Sequence, residues 1–121
     1  MEIWINPDCS KCLSALTLLD AEQAQYTVRR YLDDPPNALE IGDVLRRLRL
    51  EPWDITRLGE PAAAELGLET WPRNPDARER WIRALASHPT LIQRPIITVD
   101  DDTAVIARAR EDVLRLLERR P

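Results

Sequence analysis

Residues 2–12 read EIWINPDCSKC, and the fold of the chain follows from how this stretch is divided. Glu2 to Asn6 alternates and is rich in Ile and Trp, the pattern of a first β-strand. Pro7-Asp8 forms a turn. From Ser10 onward, Cys12, Ala15, Leu16 and Leu19 recur at i, i+3, i+4 and i+7, which marks one face of an amphipathic helix running to about Glu22. Both cysteines of the chain, Cys9 and Cys12, therefore sit where a strand hands over to a helix.

Outward from this stretch, Tyr26 to Leu32 reads as a second strand, ended by Asp33-Asp34-Pro35-Pro36. Ile41, Val44, Leu45 and Leu48 repeat the helical spacing, with Asn37 as cap and Glu40 at the capping-box position. Residues from about Glu51 to Trp71 look irregular, apart from a short helical turn at Ala62 to Leu66. Asn74-Pro75 opens another helix, whose Ala77, Trp81, Ala84 and Leu85 share a face as far as His88-Pro89. Pro95 to Val99 is a strand, Asp100 to Asp102 a turn, and Thr103 to Ala107 the returning strand of a hairpin. A last helix turns Val113, Leu116 and Leu117 inward. The order βαβ, helical insertion at about 37–89, then ββα predicts an α/β chain with a thioredoxin-like fold. It implies a mixed four-stranded sheet and a single domain over 1–121. In that topology the reactive cysteine follows the first strand, at the N-terminus of the first helix, which is the place of Cys9.

A chain of 121 residues with 44% hydrophobic and 31% charged residues suits one soluble globular domain. No apolar run approaches the roughly 18 residues that cross a bilayer. The acidic start lacks a secretory h-region, so a cytoplasmic location is expected, where two close cysteines are catalytic or metal-binding rather than a staple. The net charge of −4 argues against a general nucleic-acid or anionic-membrane surface. Two cysteines and His88 fall short of a four-ligand zinc set, so no metal is expected. His88, the only histidine, reads as a helix C-cap.

Of 17 basic residues only Lys11 is a lysine. Arginine suits forked recognition of oxyanions, although the bias as a whole is what genome composition alone would produce. Arg46, Arg47, Arg49, Arg78, Arg80, Arg83, Arg115, Arg119 and Arg120 read as solvated helix faces. Arg94 is different, because it interrupts the apolar run from Leu91 to Val99, where a charge is costly unless it faces a site. Cys9, at a helix N-terminus, meets unpaired N–H groups and the positive end of the helix dipole, and both favour its thiolate. The Lys11 side chain adds positive potential nearby. Cys12, one turn in and on the apolar stripe, is either a thiol that resolves a disulfide with Cys9 or a core residue.

Read together, NPDCSKCLSAL, DDPPNALEI, DITRLGE, AAELGL, HPTLIQRPII and ARAREDVL resemble the glutaredoxin-linked arsenate reductase (ArsC) family, the thioredoxin-fold group that also holds the Spx-type regulators. They occur in family order over almost the whole chain. The resemblance implies an arsenate reductase whose Cys9 attacks arsenate, with Arg57, Arg94 and Arg108 binding the oxyanion; Arg110 competes with Arg108 for the third place. It further implies a cis-proline at Pro95, no bound cofactor, glutathione or another small thiol as co-substrate, and glutaredoxin or thioredoxin as electron donor. Two positions depart from the reductase pattern. Ile5 stands where the reductases carry a histidine that helps ionise the cysteine, and Leu13 stands where they carry a basic residue. The CxxC spacing is that of the Spx-type regulators, which sense oxidation and bind RNA polymerase. A redox-sensing regulator and a CxxC thiol–disulfide reductase without an oxyanion substrate are therefore the two other readings.

Overall fold

Alternating apolar residues assemble a four-stranded sheet in the order β2-β1-β3-β4, with β1 at Glu2–Ile5, β2 at Thr27–Arg30, β3 at Ile96–Thr98 and β4 at Ala104–Ile106. The computed structural model describes residues 1–118, so Arg119 and Arg120 lie outside the described residues. The β1–β2 pair is parallel, whereas β1–β3 and β3–β4 are antiparallel, giving the expected mixed sheet. The helices are α1 (Ser10–Ala21), α2 (Ala38–Leu48), α3 (Pro61–Leu66), α4 (Arg78–Ser87) and α5 (Arg110–Leu117). Among the described residues no helix is long and apolar enough to cross a membrane. The chain forms two compact units, one joining Met1–Asp34 to the segment from Arg94 onward, the other Pro35–Gln93.

In the first unit, register assigns the faces of the sheet. Ile3 lies opposite both Val28 and Ile97, and Ile97 opposite Val105, so these four project to one side. On that side Ile3, Ile5, Ile97 and Val99 are buried with Cys12, Ala15 and Leu19 of α1 and Val113 and Leu116 of α5. Each large aliphatic side chain buried there contributes about 1.5–3 kcal/mol. Because β1 and β4 both run antiparallel to β3, they point the same way. The helices that follow them, α1 and α5, consequently start from the same end of the sheet.

Strand β2 is shorter than its sequence pattern, which extended to Leu32. The N–H groups of Asp33 and Asp34 both donate to the Arg30 carbonyl, at 3.1 and 2.9 Å, and close a turn immediately after Arg30. Tyr31 falls in that turn and is fully buried.

The second unit owes its form to local capping. Asn37 Oδ1 accepts from the Glu40 N–H at 2.8 Å while Glu40 Oε1 accepts from the Asn37 N–H at 3.1 Å, a complete capping box on α2. Asn74 Oδ1 accepts from the Ala77 N–H at 3.0 Å, capping a 3₁₀ turn (Pro75–Ala77) that leads into α4. Trp81 is fully buried, packs edge-on against Trp53 and Trp71, and donates its indole N–H to the Pro72 carbonyl at 2.9 Å. Arg80 stacks over the Trp71 ring at 3.8 Å. Arg47 is not the solvated residue its position suggested: its side chain is only 16% exposed, and Asp43 faces it one turn earlier.

Candidate active site

The turn between β1 and α1 is held by Asn6. Its side-chain Oδ1 accepts from the Asp8 N–H at 3.0 Å and its carbonyl accepts from the Cys9 N–H at 3.0 Å. Cys9 becomes the N-cap of α1, in extended backbone, and its side chain supplies none of the usual capping oxygen. Partial burial, the largest single influence, pushes its thiol up, but the Arg94 guanidinium, the Cys12 N–H and thiol and the Lys11 N–H together outweigh it. The thiol is thereby lowered from 9.0 to about 7. At neutral pH roughly half of it is ionised. Lys11 acts here through its main chain rather than through the ammonium group that the sequence brought to notice.

Cys12 shows the opposite behaviour. It is fully buried in the sheet–helix core, and burial, reinforced by the Cys9 sulfur, pushes its thiol up to about 11 although the Asn6 backbone pulls the other way. Cys12 is thus both a core residue and a direct neighbour of Cys9, and neither cysteine is in a disulfide. Its sulfur stays protonated under conditions that leave Cys9 an anion.

Arg94 directly precedes a cis Arg94–Pro95 peptide bond, and the Pro95 carbonyl accepts from the Ala107 N–H at 2.9 Å. Its guanidinium interacts with both the Cys9 thiol and the Tyr31 hydroxyl. Partial burial alone would lower the pKa of Arg94, yet these two partners raise it. Tyr31 is the site residue that sequence reading missed. Nothing near it in the chain marks it, since its partner belongs to a distant segment.

Arg108 and Arg110 are exposed and line a cleft of about 540 Å³, whose opposite wall is α1 from Lys11 to Glu22. Arg57 belongs to the other unit, where its N–H donates to the Leu91 carbonyl at 2.7 Å and its guanidinium pairs with Glu60. The structure thus gathers Cys9, Cys12, Arg94 and Tyr31 in one place and sets Arg108 on the cleft beside α1. Ile5, standing at the expected histidine position, is a buried core residue, and Leu13 is half exposed. His88 is the C-cap of α4, its N–H donating to the Ala84 carbonyl at 2.9 Å.

No protein-family model matches the chain. It is 64% identical over 119 residues to an uncharacterized protein in the glnII region of Streptomyces viridochromogenes, covering 98% of this chain and 100% of that one. It is 36% identical over 107 residues to an arsenate reductase of Neisseria meningitidis, covering 87% and 88% of the two chains. Among solved structures it is similar to the arsenate reductase from Vibrio cholerae, with a TM-score of 0.84 and 33% identity over 96% of this chain and 98% of that one.

Proposed function

Since the chain belongs to the arsenate reductase family, we propose that it is a thiol-dependent oxidoreductase that reduces arsenate to arsenite through Cys9. The observation that carries this reading is the half-ionised Cys9 thiol at the head of α1, with the Arg94 guanidinium against it. A positive, forked group beside a thiolate offsets the repulsion between that thiolate and an incoming oxyanion, and stabilises the charge that develops during displacement. Cys9 Sγ attacks arsenic(V), an S–As bond forms, and one oxygen leaves as hydroxide, which is protonated to water. The thiolate of a second thiol, glutathione or a similar small thiol, then attacks Cys9 Sγ. An S–S bond forms, the S–As bond breaks, and arsenic keeps the electron pair and departs as arsenite. A further thiol, or glutaredoxin or thioredoxin, clears the mixed disulfide, so two thiols are oxidised for one two-electron reduction.

Arg108, in the same unit as Cys9, is assigned to the oxyanion with Arg94. The family resemblance adds Arg57, and an Arg57→Ala variant, read by the KM for arsenate, tests that assignment. The protonated state of Cys12 favours an external thiol over Cys12 as the attacking group. The adjacency of the two sulfurs also favours a second reading, a CxxC thiol–disulfide reductase in which Cys12 resolves a Cys9 mixed disulfide.

The test is arsenate reduction with glutathione and glutaredoxin by wild type, Cys9→Ser and Cys12→Ser, with reduction of a protein disulfide measured in parallel. Arsenite from wild type and Cys12→Ser but none from Cys9→Ser is the expected result. Absence of arsenite from wild type refutes the proposal, and disulfide reduction alone selects the second reading.

A further inference from the structure

The register of the sheet brings residues from three strand ends into one row. Ile5 lies opposite Arg30 across the β1–β2 pair, and Trp4 opposite Ile96 across the β1–β3 pair. Carried past the strand ends, that register sets Asn6 beside Tyr31 on one flank and level with Arg94 on the other. Asn6 is the residue whose side chain and carbonyl hold the Cys9 turn. Tyr31 is fully buried in the turn that Asp33 and Asp34 close on the Arg30 carbonyl. Arg29 Nε–H donates to the Asp34 carbonyl at 3.0 Å and secures the same turn from its other side. Both the ring and the backbone of Tyr31 are thus fixed by the fold, and its hydroxyl meets the guanidinium that also meets the Cys9 thiol.

We propose that Tyr31 is the positioning residue of this site: its buried hydroxyl oxygen accepts one N–H of Arg94 and so aims the rest of the fork at Cys9 and at the oxyanion that Cys9 attacks. This deepens the reading of Cys9 as nucleophile and rests on it. An arginine side chain has many rotamers, and ordering it costs conformational entropy. Its five N–H donors, however, lie in one rigid plane, so a contact with a fixed partner on one side orients the donors on the other. A neutral hydroxyl provides that contact without cancelling the charge. A carboxylate in the same place, such as Glu60 provides for Arg57, would compete with the oxyanion for the guanidinium. Ile5 stands in the core where the family's histidine was expected, so activation of Cys9 runs through an arginine aimed by a tyrosine.

The experiment is a double-mutant cycle on the full chain, with Tyr31→Phe and Arg94→Ala combined in a Cys12→Ser background and read by Cys9 alkylation at neutral pH. With Arg94 present, Tyr31→Phe should slow alkylation roughly two- to fivefold, as loss of one hydrogen bond does. With Arg94→Ala, the same substitution should change the rate by less than about 1.5-fold, because no guanidinium is left to aim. An equal slowing in both backgrounds would show that Tyr31 acts on Cys9 through packing, and no slowing in either would show that it does not act at all; each result overturns the proposal. A second readout is nitrogen-15 NMR of the arginine side chains, with Arg94→Ala assigning the signal. The Arg94 guanidinium of wild type should rotate slowly and show separate terminal N–H signals, which Tyr31→Phe should merge. A freely rotating guanidinium in wild type would overturn the proposal even if Tyr31→Phe failed to fold. Neither readout contains arsenate, so failure here and failure of arsenate reduction are separately visible.

Discussion

Removing Arg94 is the perturbation whose effect follows most directly from the geometry. Cys9 is lowered from 9.0 to about 7 even though burial, the largest single influence on it, acts in the opposite direction. The net effect corresponds to about 2.7 kcal/mol in favour of the thiolate, and the groups that favour the anion together supply more than that. Arg94 is the largest of them. In Arg94→Ala, burial is opposed only by the N–H groups of Lys11 and Cys12 and by the Cys12 thiol. The apparent pKa should rise by about one to two units, and the ionised fraction at neutral pH should fall from about one half to roughly 1–10%. The assay is the rate of iodoacetamide alkylation as a function of pH, in a Cys12→Ser background so that one sulfur reports. At neutral pH the rate should drop roughly five- to fiftyfold, and well above the titration it should return to that of the Arg94-containing protein, because only the ionised fraction has changed. Arg94→Lys should recover part of the loss, keeping the charge but not the fork. An apparent pKa that stays near 7 in Arg94→Ala would refute the reasoning, and a rate lowered equally at all pH values would show that Arg94 governs access instead.

Stability should also respond to pH in a way that separates the two sulfurs. The folded state holds Cys9 below its ordinary value, so its contribution is complete above about 9 and is lost as pH falls through about 7; Cys12 is held above, so its contribution is complete below about 9 and is lost as pH rises through about 11. Urea denaturation across this range should show the thiol contribution cresting near pH 9, changing by no more than about 2–3 kcal/mol on either side. Cys9→Ser should remove the acidic limb and Cys12→Ser the alkaline one; a flat profile in wild type would contradict this. Tyr31→Phe should cost about 1 kcal/mol from the lost hydroxyl contact and raise the Cys9 titration by less than Arg94→Ala does, measured by the same alkylation series. Asn37→Ala should destabilise the protein by about 1 kcal/mol through loss of the α2 capping box, read as a shift in urea midpoint with unchanged slope.

What the sequence made legible is what local physics decides. The Asn37–Glu40 box, the cap at Asn74 and the placing of Cys9 at the head of α1 each depend on residues within four positions of one another and were readable from spacing, although Asn74 caps a 3₁₀ turn rather than the helix itself. Arg94 was readable because a guanidinium in an apolar run is conspicuous wherever the chain goes. Tyr31 was not, because an aromatic at the end of a β-pattern is ordinary and its meaning lies in a partner brought up by the sheet. Arg47 misled for the same reason: helical position marks a face, but what covers that face is set by distant parts of the chain. The ends of β2 were overrun because Tyr31 and Leu32 have strand-like side chains, while the turn that stops the strand is made by backbone groups that carry no sequence signature.

One feature of α1 links its chemistry to its integrity. The residue at its N-cap is the proposed nucleophile, and the N–H groups of its first turn are directed at a sulfur rather than at a capping oxygen. A thiolate is a serviceable acceptor for those donors, but a neutral sulfur is a poor one. Alkylation, a bond to arsenic or a mixed disulfide therefore each deprives the helix of its cap at the moment the sulfur reacts. The first turn of α1 should be at its firmest in the resting enzyme and at its loosest in the covalent intermediate, so that the spent site is the one most ready to open to the next thiol.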